Sequence, residues 1–308
     1  SQRSLNNNNN NGGNKEFSLA ASDLVVEAAY LSRLDHPHIL SARGLPVDGV
    51  HALADGKHDG YFILSDRLSD TLDHRIQEWK KKERCQSSSP SPSPSSLSLS
   101  SSSSSSSASA SPTVHTKTHY ALQIANALDY LHSNGIMFRD LKPQNIGFSV
   151  DAPDHIQLLD FGLCRELPPQ NDAETSPEAA DDGTTDTFEM SGVGTRRYMA
   201  VEIINSNKYN CKADVYSWSM VVWEMLSLTK PYSIYSLKDH EREVCKGGER
   251  PAMKPSSWPA SLCALLQQAW ATDLNQRYTM NQVCGALEAM IDLSPVSLPA
   301  LTKMTRNM

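Results

Sequence analysis

Apolar residues recur every three or four positions in several stretches of the chain, and this is the spacing of an amphipathic helix. The first such stretch follows Ser22-Asp23, a pair suited to capping a helix N-terminus, and ends before His36-Pro37. Further stretches predict helices over residues 70–84, 119–133, 215–228, 237–245, 261–270 and 280–291. The stretch over 215–228 is apolar on every side, so we expect that helix to be buried in the centre of a domain.

Two short β-rich runs lie between the first two predicted helices. They are Ile39-Leu40 and the run over residues 61–64, and a glycine-containing loop separates them. This arrangement predicts an antiparallel strand pair. The order of elements is then one helix, two strands and a mostly helical block, which is typical of an α+β fold.

Segments of low complexity or high polarity interrupt these elements. Residues 6–11 are all asparagine, residues 87–112 are almost wholly Ser, Pro and Ala, and residues 166–192 are acidic with three prolines. Such segments bury too little apolar surface to offset the entropy lost on ordering. We therefore expect a disordered segment over 1–16, a solvated insert over 86–112 and a mobile loop within 166–192.

Composition narrows the class of protein. The chain has 308 residues, of which 39% are hydrophobic, so it can bury a sizeable core as one large domain or two lobes. Its 28 basic and 35 acidic residues give a net charge of −7, which argues against a nucleic-acid groove. The six cysteines are scattered without a C-x-x-C pair, so we expect reduced core residues rather than zinc ligands or disulfides.

The sequence also bears on location. No apolar run reaches the roughly 20 residues that span a bilayer, and the first residues do not resemble a signal peptide. The chain lacks an initiator methionine, which suggests a fragment. We expect no membrane association and a cytoplasmic or nuclear location.

One motif carries the chemistry. Residues 138–145 read Phe-Arg-Asp-Leu-Lys-Pro-Gln-Asn, and Asp160-Phe161-Gly162 begins fifteen positions after Asn145. Phosphoryl transfer needs a carboxylate that orients a hydroxyl and oxygen ligands that hold magnesium on a nucleotide. The motif supplies those groups in the expected order.

With this motif and several others in order, residues 17–292 resemble the eukaryotic protein kinase catalytic domain, nearest to tyrosine-kinase-like serine/threonine kinases. The resemblance implies a bilobal α+β fold with an incomplete N-terminal sheet lobe over 17–68 and a mostly helical C-terminal lobe over 69–292. The activation segment would span 160–202, and residues 293–308 would form a tail. Neither a glycine-rich phosphate loop nor a Val-Ala-Ile-Lys strand precedes the motif.

The resemblance assigns roles to the residues of the motif. Asp140 would align the acceptor hydroxyl, and Lys142 would neutralise charge on the transferred group. Asn145 and Asp160 would bind Mg²⁺. The sequence Lys142-Pro143, together with Thr195, resembles serine/threonine rather than tyrosine kinases.

Other positions match the nucleotide end of the family's site. Glu27 resembles the helix glutamate that pairs with the phosphate-binding lysine. Leu64 resembles the gatekeeper, and Ser65, Asp66 and Arg67 resemble the hinge whose backbone meets adenine. The resemblance therefore implies that ATP binds with Mg²⁺ beside these residues.

A third set is structural. Glu202 and Arg277 match a carboxylate–guanidinium pair that ties the substrate-binding loop to the helical core. Asp214 is placed to accept N–H bonds from the catalytic loop.

The chain departs from the family pattern at three positions. Phe138 replaces a histidine, Val201 replaces a proline, and Gly147 lies where a larger apolar side chain usually forms the adenine floor. We expect Phe138 to pack under Phe161, which would spare the chemistry. Gly147 puts the shape of the nucleotide pocket in question.

Arg139 suggests regulation. A buried arginine beside the metal site is costly unless paired, and a phosphate on the activation segment would pair with it. Thr187 and Ser191 are the preferred phosphoacceptors, although they are equally interpreted as ordinary loop hydroxyls. The partners implied are protein substrates with Ser or Thr acceptors and either an upstream activating kinase or autophosphorylation.

Three functional hypotheses stay open. The first is an active serine/threonine kinase of which this chain is a partial domain, and the second is a catalytically inactive pseudokinase scaffold. The third is a truncated product that does not fold stably, because a sheet edge would be left unpaired. Lys15 lies twelve residues before Glu27, but no strand pattern surrounds it, so we interpret it as a loop lysine and expect the nucleotide lysine upstream.

Overall fold

The computed structural model describes residues 22–45, 62–87, 111–167, 187, 194–205 and 208–292. The predicted disordered segment over 1–16 and the predicted tail over 293–308 lie outside these ranges, as do most of the 86–112 insert and most of the 166–192 loop. The domain boundaries therefore stay predictions.

Eight α-helices lie within the described residues and hold slightly less than half of them. Helix α1 spans residues 22–31. The others are α2 (Leu72–Ser87), α3 (Val114–Ser133), α4 (Val201–Ile204), α5 (Lys212–Ser227), α6 (Leu237–Asp239), α7 (Ala260–Ala269) and α8 (Met280–Asp292). Helix α6 continues directly as a π-helical stretch, His240–Lys246.

Seven short strands form three small antiparallel sheets within the described residues. They are β1 (Ala42–Gly44), β2 (Leu64–Ser65), β3 (Leu68–Thr71), β4 (Ile136–Met137), β5 (Ile146–Ser149), β6 (Ile156–Leu158) and β7 (Arg165–Glu166). Strand β1 pairs with β2, β4 pairs with β7, and the third sheet has the order β3-β5-β6. The predicted α+β class, with a mostly helical C-terminal part, is confirmed.

The predicted strand pair is wrong in its first partner. Ile39 forms an isolated parallel bridge with Leu158, and it is β1, three residues further on, that pairs with β2. The physical reason is burial: Ile39 packs into the core against β6, so the chain crosses that strand before it reaches β2. Of the second predicted run, Leu64 is in a strand and residue 61 lies outside the described ranges.

Several helix boundaries also differ from the prediction. Helix α2 begins at Leu72 because Asp70 and Thr71 pair with β5, and it ends at Ser87, so the first two residues of the predicted insert are helical. Helix α3 begins five residues early, after Thr113, whose hydroxyl caps it by accepting the N–H of Thr116 at 3.2 Å. The start of the predicted loop over 166–192 lies in β7.

The core lies in the helical part, around α5. Every residue of α5 is buried, which confirms the prediction from its all-round apolar pattern. The indole N–H of Trp218 donates to the carbonyl of Ala121 at 3.0 Å, which fixes α5 against α3. Among the described residues, no helix is both long enough and apolar enough to cross a bilayer. This packing makes α3 and α5 the rigid support for the loop between β4 and β5.

Candidate active site

Asp140 lies at the centre of a hydrogen-bonded cluster in the loop after β4. Its Oδ1 accepts hydrogen bonds from the amide and the hydroxyl of Thr195, at 2.8 and 2.9 Å. Its Oδ2 accepts a bond from Nζ of Lys142 at 2.5 Å, and its backbone carbonyl accepts one from the amide nitrogen of Asn145 at 3.0 Å. The structure therefore brings four of the residues singled out in the sequence into contact.

Asp160 is held near the same loop by the residue before it. The N–H of Leu159 donates to the backbone carbonyl of Asn145 at 3.1 Å, which brings the chain at Asp160 close to the Asp140 cluster. Asp160 has a left-handed φ of 67°, a conformation that is uncommon outside glycine and clusters at functional sites. Its side chain is exposed, as a group that meets a ligand must be.

The donors present fit magnesium. Among the described hydrogen bonds, the side chain of Asn145 uses only its amide nitrogen, which leaves its oxygen available as a hard ligand. No group of three or more His, Cys, Asp or Glu side chains suited to a metal exists in the described part of the chain. Magnesium bound here would complete its shell with phosphate oxygens and water, as it commonly does.

Asp214, at the start of α5, holds the loop from below. Its Oδ2 accepts the N–H of Phe138 at 2.8 Å and Nε2 of His132 at 2.9 Å, and its Oδ1 accepts the N–H of Arg139 at 2.8 Å. The side chain is 1% exposed. A buried carboxylate is tolerated when donors satisfy it, and here three do so while fixing the backbone just before Asp140.

Arg139 is buried and has a left-handed φ of 73°. Its guanidinium forms a side-chain hydrogen bond with Tyr209; burial raises the pKa of that phenol, and the arginine charge opposes the rise. Of the two proposed phosphoacceptors, Thr187 is half-buried and Ser191 lies outside the described residues. Regulation through Arg139 therefore stays a prediction.

Glu202 and Arg277 form a buried two-pronged ion pair. The two terminal nitrogens of Arg277 donate to the two oxygens of Glu202 at 2.6 and 3.0 Å. Arg277 also donates to the carbonyls of Lys212 and Ala271 at 3.0 and 2.8 Å. The pair ties α4 to the loop before α8, which anchors the segment that contains Thr195.

Glu27 on α1 faces the Asp160 turn. Its Oε1 accepts the N–H of Phe161 at 3.4 Å. Burial raises the pKa of Glu27, and the charge of Asp160 acts in the same direction. The structure therefore places Glu27 near the proposed metal ligand, as a helix glutamate facing the site should be.

The predicted gatekeeper and hinge lie on β2 and the two residues after it, and their side chains are exposed or half-buried. Leu64 is 58% exposed, Ser65 pairs with Ala42 of β1, and Asp66 forms a bidentate ion pair with Arg43 at 2.8 and 2.7 Å. Arg67 is also exposed. The described residues thus do not bring these four side chains to the Asp140 cluster, and their roles toward adenine stay predictions.

Two departures from the family pattern have structural explanations. Phe138 packs edge-on against Phe161, with ring centroids 5.3 Å apart, and both rings are buried. A Cβ added at Gly147 would lie 2.4 Å from Cδ1 of Leu68. The side chain of Leu68 therefore occupies the space that a larger residue at 147 would take.

Sequence reasoning missed three residues of this region. His132 binds Asp214, Tyr209 binds Arg139, and Leu68 fills the space above Gly147. His132 lies in the last turn of a predicted helix and Leu68 between two elements, so spacing gives neither a signal. Their roles depend on contacts across more than sixty residues of sequence.

The model of the protein kinase domain family matches residues 7–286. Serine/threonine-protein kinase VIK of Arabidopsis thaliana is 31% identical over 183 residues, which cover 58% of this chain and 39% of the relative. Serine/threonine/tyrosine-protein kinase HT1 of the same plant is 29% identical over 189 residues, covering 61% and 43%. Serine/threonine-protein kinase STY46, also from that plant, is 31% identical over 168 residues, covering 54% and 26%. The chain spans less than half the length of these curated relatives.

Proposed function

The chain belongs to the protein kinase family, and we propose that it transfers the γ-phosphate of ATP to serine or threonine hydroxyls of protein substrates. The observation that carries the proposal is the Asp140 cluster, in which Lys142, Asn145 and Thr195 all bind one residue. Such a cluster is preorganised because its members are already held in place before a substrate arrives.

Asp140 would accept a hydrogen bond from the acceptor hydroxyl and align its oxygen on the phosphorus. Two donors from Thr195 hold one carboxylate oxygen, and Lys142 holds the other, so the carboxylate plane is fixed. Positioning of this kind supplies a large share of the acceleration in phosphoryl transfer. Lys142 is also near enough to neutralise charge on the transferred group.

Asn145 and Asp160 would hold the magnesium ion. When bound, magnesium neutralises charge on the phosphates of the nucleotide. Asn145 is fixed for this task by its two bonds to Asp140, at 3.0 and 3.4 Å. Asp160 is exposed and follows β6, whose last residue pairs with the first residue of β5 next to Asn145.

Thr195 supports the acceptor class. Its hydroxyl lies 2.9 Å from Asp140, directly beside the position where an acceptor must approach. A short aliphatic hydroxyl can reach a carboxylate flanked in this way. We therefore infer serine and threonine as acceptors, in agreement with the names of the serine/threonine-protein kinases VIK and STY46.

A binding scaffold without catalysis is the second candidate. It is favoured by the environment of Glu27, whose carboxylate faces a backbone N–H and Asp160 rather than a lysine among the described residues. Lys15, the nearest candidate for such a lysine, lies outside the described residues. A scaffold of this type would bind partners without transferring phosphate.

Two measurements on the chain separate these functions: the melting temperature with and without Mg²⁺ and ATP, and transfer of labelled phosphate to a serine- and threonine-containing protein. A nucleotide that binds the folded state must raise the melting temperature. We expect Asp160→Asn to abolish this rise, and Asp140→Asn to keep it but to lower transfer by about 10²-fold or more.

Asp151→Asn is the matched control, because Asp151 is an exposed carboxylate outside the cluster. It should behave like the wild type in both measurements. Transfer at the wild-type rate by Asp140→Asn would show that the proposed role of Asp140 is wrong. Nucleotide binding without any transfer by the wild type would favour the scaffold.

A further inference from the structure

Arg196 follows Thr195 directly, so it lies next to the carboxylate that would align the acceptor. It is half-buried, and its Nε is buried with no hydrogen-bond partner among the described residues. The described contacts also give its two terminal nitrogens no acceptor. Burying part of a guanidinium without a partner is unfavourable, and a ligand that supplies acceptors removes that cost.

His240, at the start of the π-helical stretch, also has a buried side-chain nitrogen without a described hydrogen-bond partner. It is 6% exposed, and its Nε2 is buried without a partner in the described part of the chain. The other ring nitrogen, Nδ1, contacts Sγ of Cys245 at 3.8 Å, and the ring packs edge-on against Tyr232. Nε2 therefore remains as the ring atom able to bind an added group.

The charges of three arginines act on this histidine. Burial lowers the pKa of His240, and the charges of Arg196, Arg197 and Arg250 lower it further. Two of these arginines bind neutral acceptors: Arg197 donates to a carbonyl, and Arg250 donates to two carbonyls and a threonine hydroxyl. In the described ranges, none of the three forms an ion pair.

The charge of Arg196 also acts on Glu241: the hydrogen bond and charge of Lys246 lower the pKa of this carboxyl, and the charge of Arg196 contributes to the same shift. Glu241 is exposed, and its ion pair is with Lys246, at 2.9 Å. It does not come within ion-pair distance of Arg196. Arg196, Arg197, Arg250 and His240 are called the basic cluster below. The charge of Arg197 also acts on the buried carboxylate of Glu224, whereas Arg196 has no carboxylate at ion-pair distance among the described residues.

We propose that this cluster binds an aspartate or glutamate side chain of the protein substrate, close in sequence to the acceptor. A carboxylate would form charge-assisted bonds with Arg196 and accept a bond from Nε2 of His240. Consecutive Cα atoms are about 3.8 Å apart, so a group beside Thr195 reaches substrate positions within roughly three residues of the acceptor. This inference rests on the proposed kinase function and adds a substrate preference to it.

The test uses three peptides that contain one serine followed by aspartate, by asparagine or by phosphoserine. Their affinities for the chain are measured by fluorescence anisotropy without ATP, so the readout does not depend on transfer. We expect the aspartate peptide to bind about tenfold more tightly than the asparagine peptide, which corresponds to about 1.4 kcal/mol. The difference should shrink at high salt.

Arg196→Gln should remove the difference between the aspartate and asparagine peptides, and Arg196→Lys should keep part of it. Lys238→Gln is the control, because Lys238 is an exposed cation on α6 outside the cluster, and this variant should keep the full preference. A melting curve for each variant verifies folding.

Equal affinities of the two peptides for the wild type, or a preference that survives in Arg196→Gln, would overturn the inference. Binding of only the phosphoserine peptide would also overturn it, since the site would then require phosphate. The preference and the kinase function fail separately: an acid preference without transfer refutes only catalysis, and transfer without the preference refutes only this site.

Discussion

Replacing Asp214 with asparagine tests how the loop before Asp140 is held. The aspartate satisfies three donors: Oδ1 binds the N–H of Arg139, and Oδ2 binds the N–H of Phe138 and Nε2 of His132. Asparagine keeps one oxygen and introduces an NH₂ group. The less costly orientation keeps the oxygen at the Oδ2 position and leaves the Arg139 N–H facing another donor.

The magnitude follows from that one lost acceptor. A buried donor left without a partner costs about 1–3 kcal/mol. For a domain of this size, each kcal/mol shifts the melting temperature by about 2–4 °C, so we expect a decrease of about 2–12 °C. Arg139 has a left-handed φ, and loss of its N–H bond should let the loop relax from that conformation. Transfer should therefore fall by more than the unfolded fraction explains.

Urea unfolding and phosphate transfer are the two assays. Asp151→Asn is the control, since it removes an exposed carboxylate that has no contact with the loop before Asp140 among the described hydrogen bonds. This control should stay close to the wild type in both assays. A free energy of unfolding for Asp214→Asn within about 0.5 kcal/mol of the wild type would refute the reasoning, because that is the scale of an ordinary surface substitution.

Three further predictions use other buried groups. Burial raises the pKa of Glu224 to about 7 from its ordinary 4.5, so the stability of the wild type falls as the pH rises from 4.5 to 7. Glu224→Gln should therefore have a higher melting temperature than the wild type at pH 8 and the same melting temperature at pH 5. An equal gain at both pH values would contradict this prediction. Burial lowers the pKa of His38 below its ordinary 6.5, so stability is lost as the pH falls below about 6.5. His38→Asn should reduce the decrease in melting temperature over this pH range, and an unchanged dependence of the melting temperature on pH would count against the prediction. Gly147→Ala should lower the free energy of unfolding in urea by about 1–3 kcal/mol, because the added Cβ would meet the side chain of Leu68. In the double variant, Leu68→Ala should relieve part of that cost, and strictly additive effects of the two substitutions would disprove the contact.

Long periodic segments were predictable and short ones were not. The apolar pattern located α5 and α8 to within three residues at each end. Strands β4 and β7 have two residues each, which is too short to display an alternation of period two. The start of α3 was missed because its first turns carry His, Thr and Lys, although Lys117 is buried there against the Trp79 ring.

The candidate site divides in the same way. Asp140, Lys142 and Asn145 lie within six residues of one another, so local geometry brings them together, and the motif was a sufficient guide. Contacts such as that between His132 and Asp214 depend on how α3 packs on α5, which spacing along the chain does not encode. The exposure of Leu64 likewise depends on what packs against β2.

The bridge at Leu158 couples two parts of the molecule mechanically. Leu158 exchanges backbone hydrogen bonds with the segment after α1, at 2.9 and 3.0 Å, and it precedes Asp160 by two residues. Glu27, on α1 itself, accepts a hydrogen bond from the N–H of Phe161, the residue directly after Asp160. A rotation of α1 must therefore either move Asp160 with it or break one of these hydrogen bonds. Any partner that binds and displaces α1 would thereby change the position of Asp160, the proposed metal ligand, without contacting the active site.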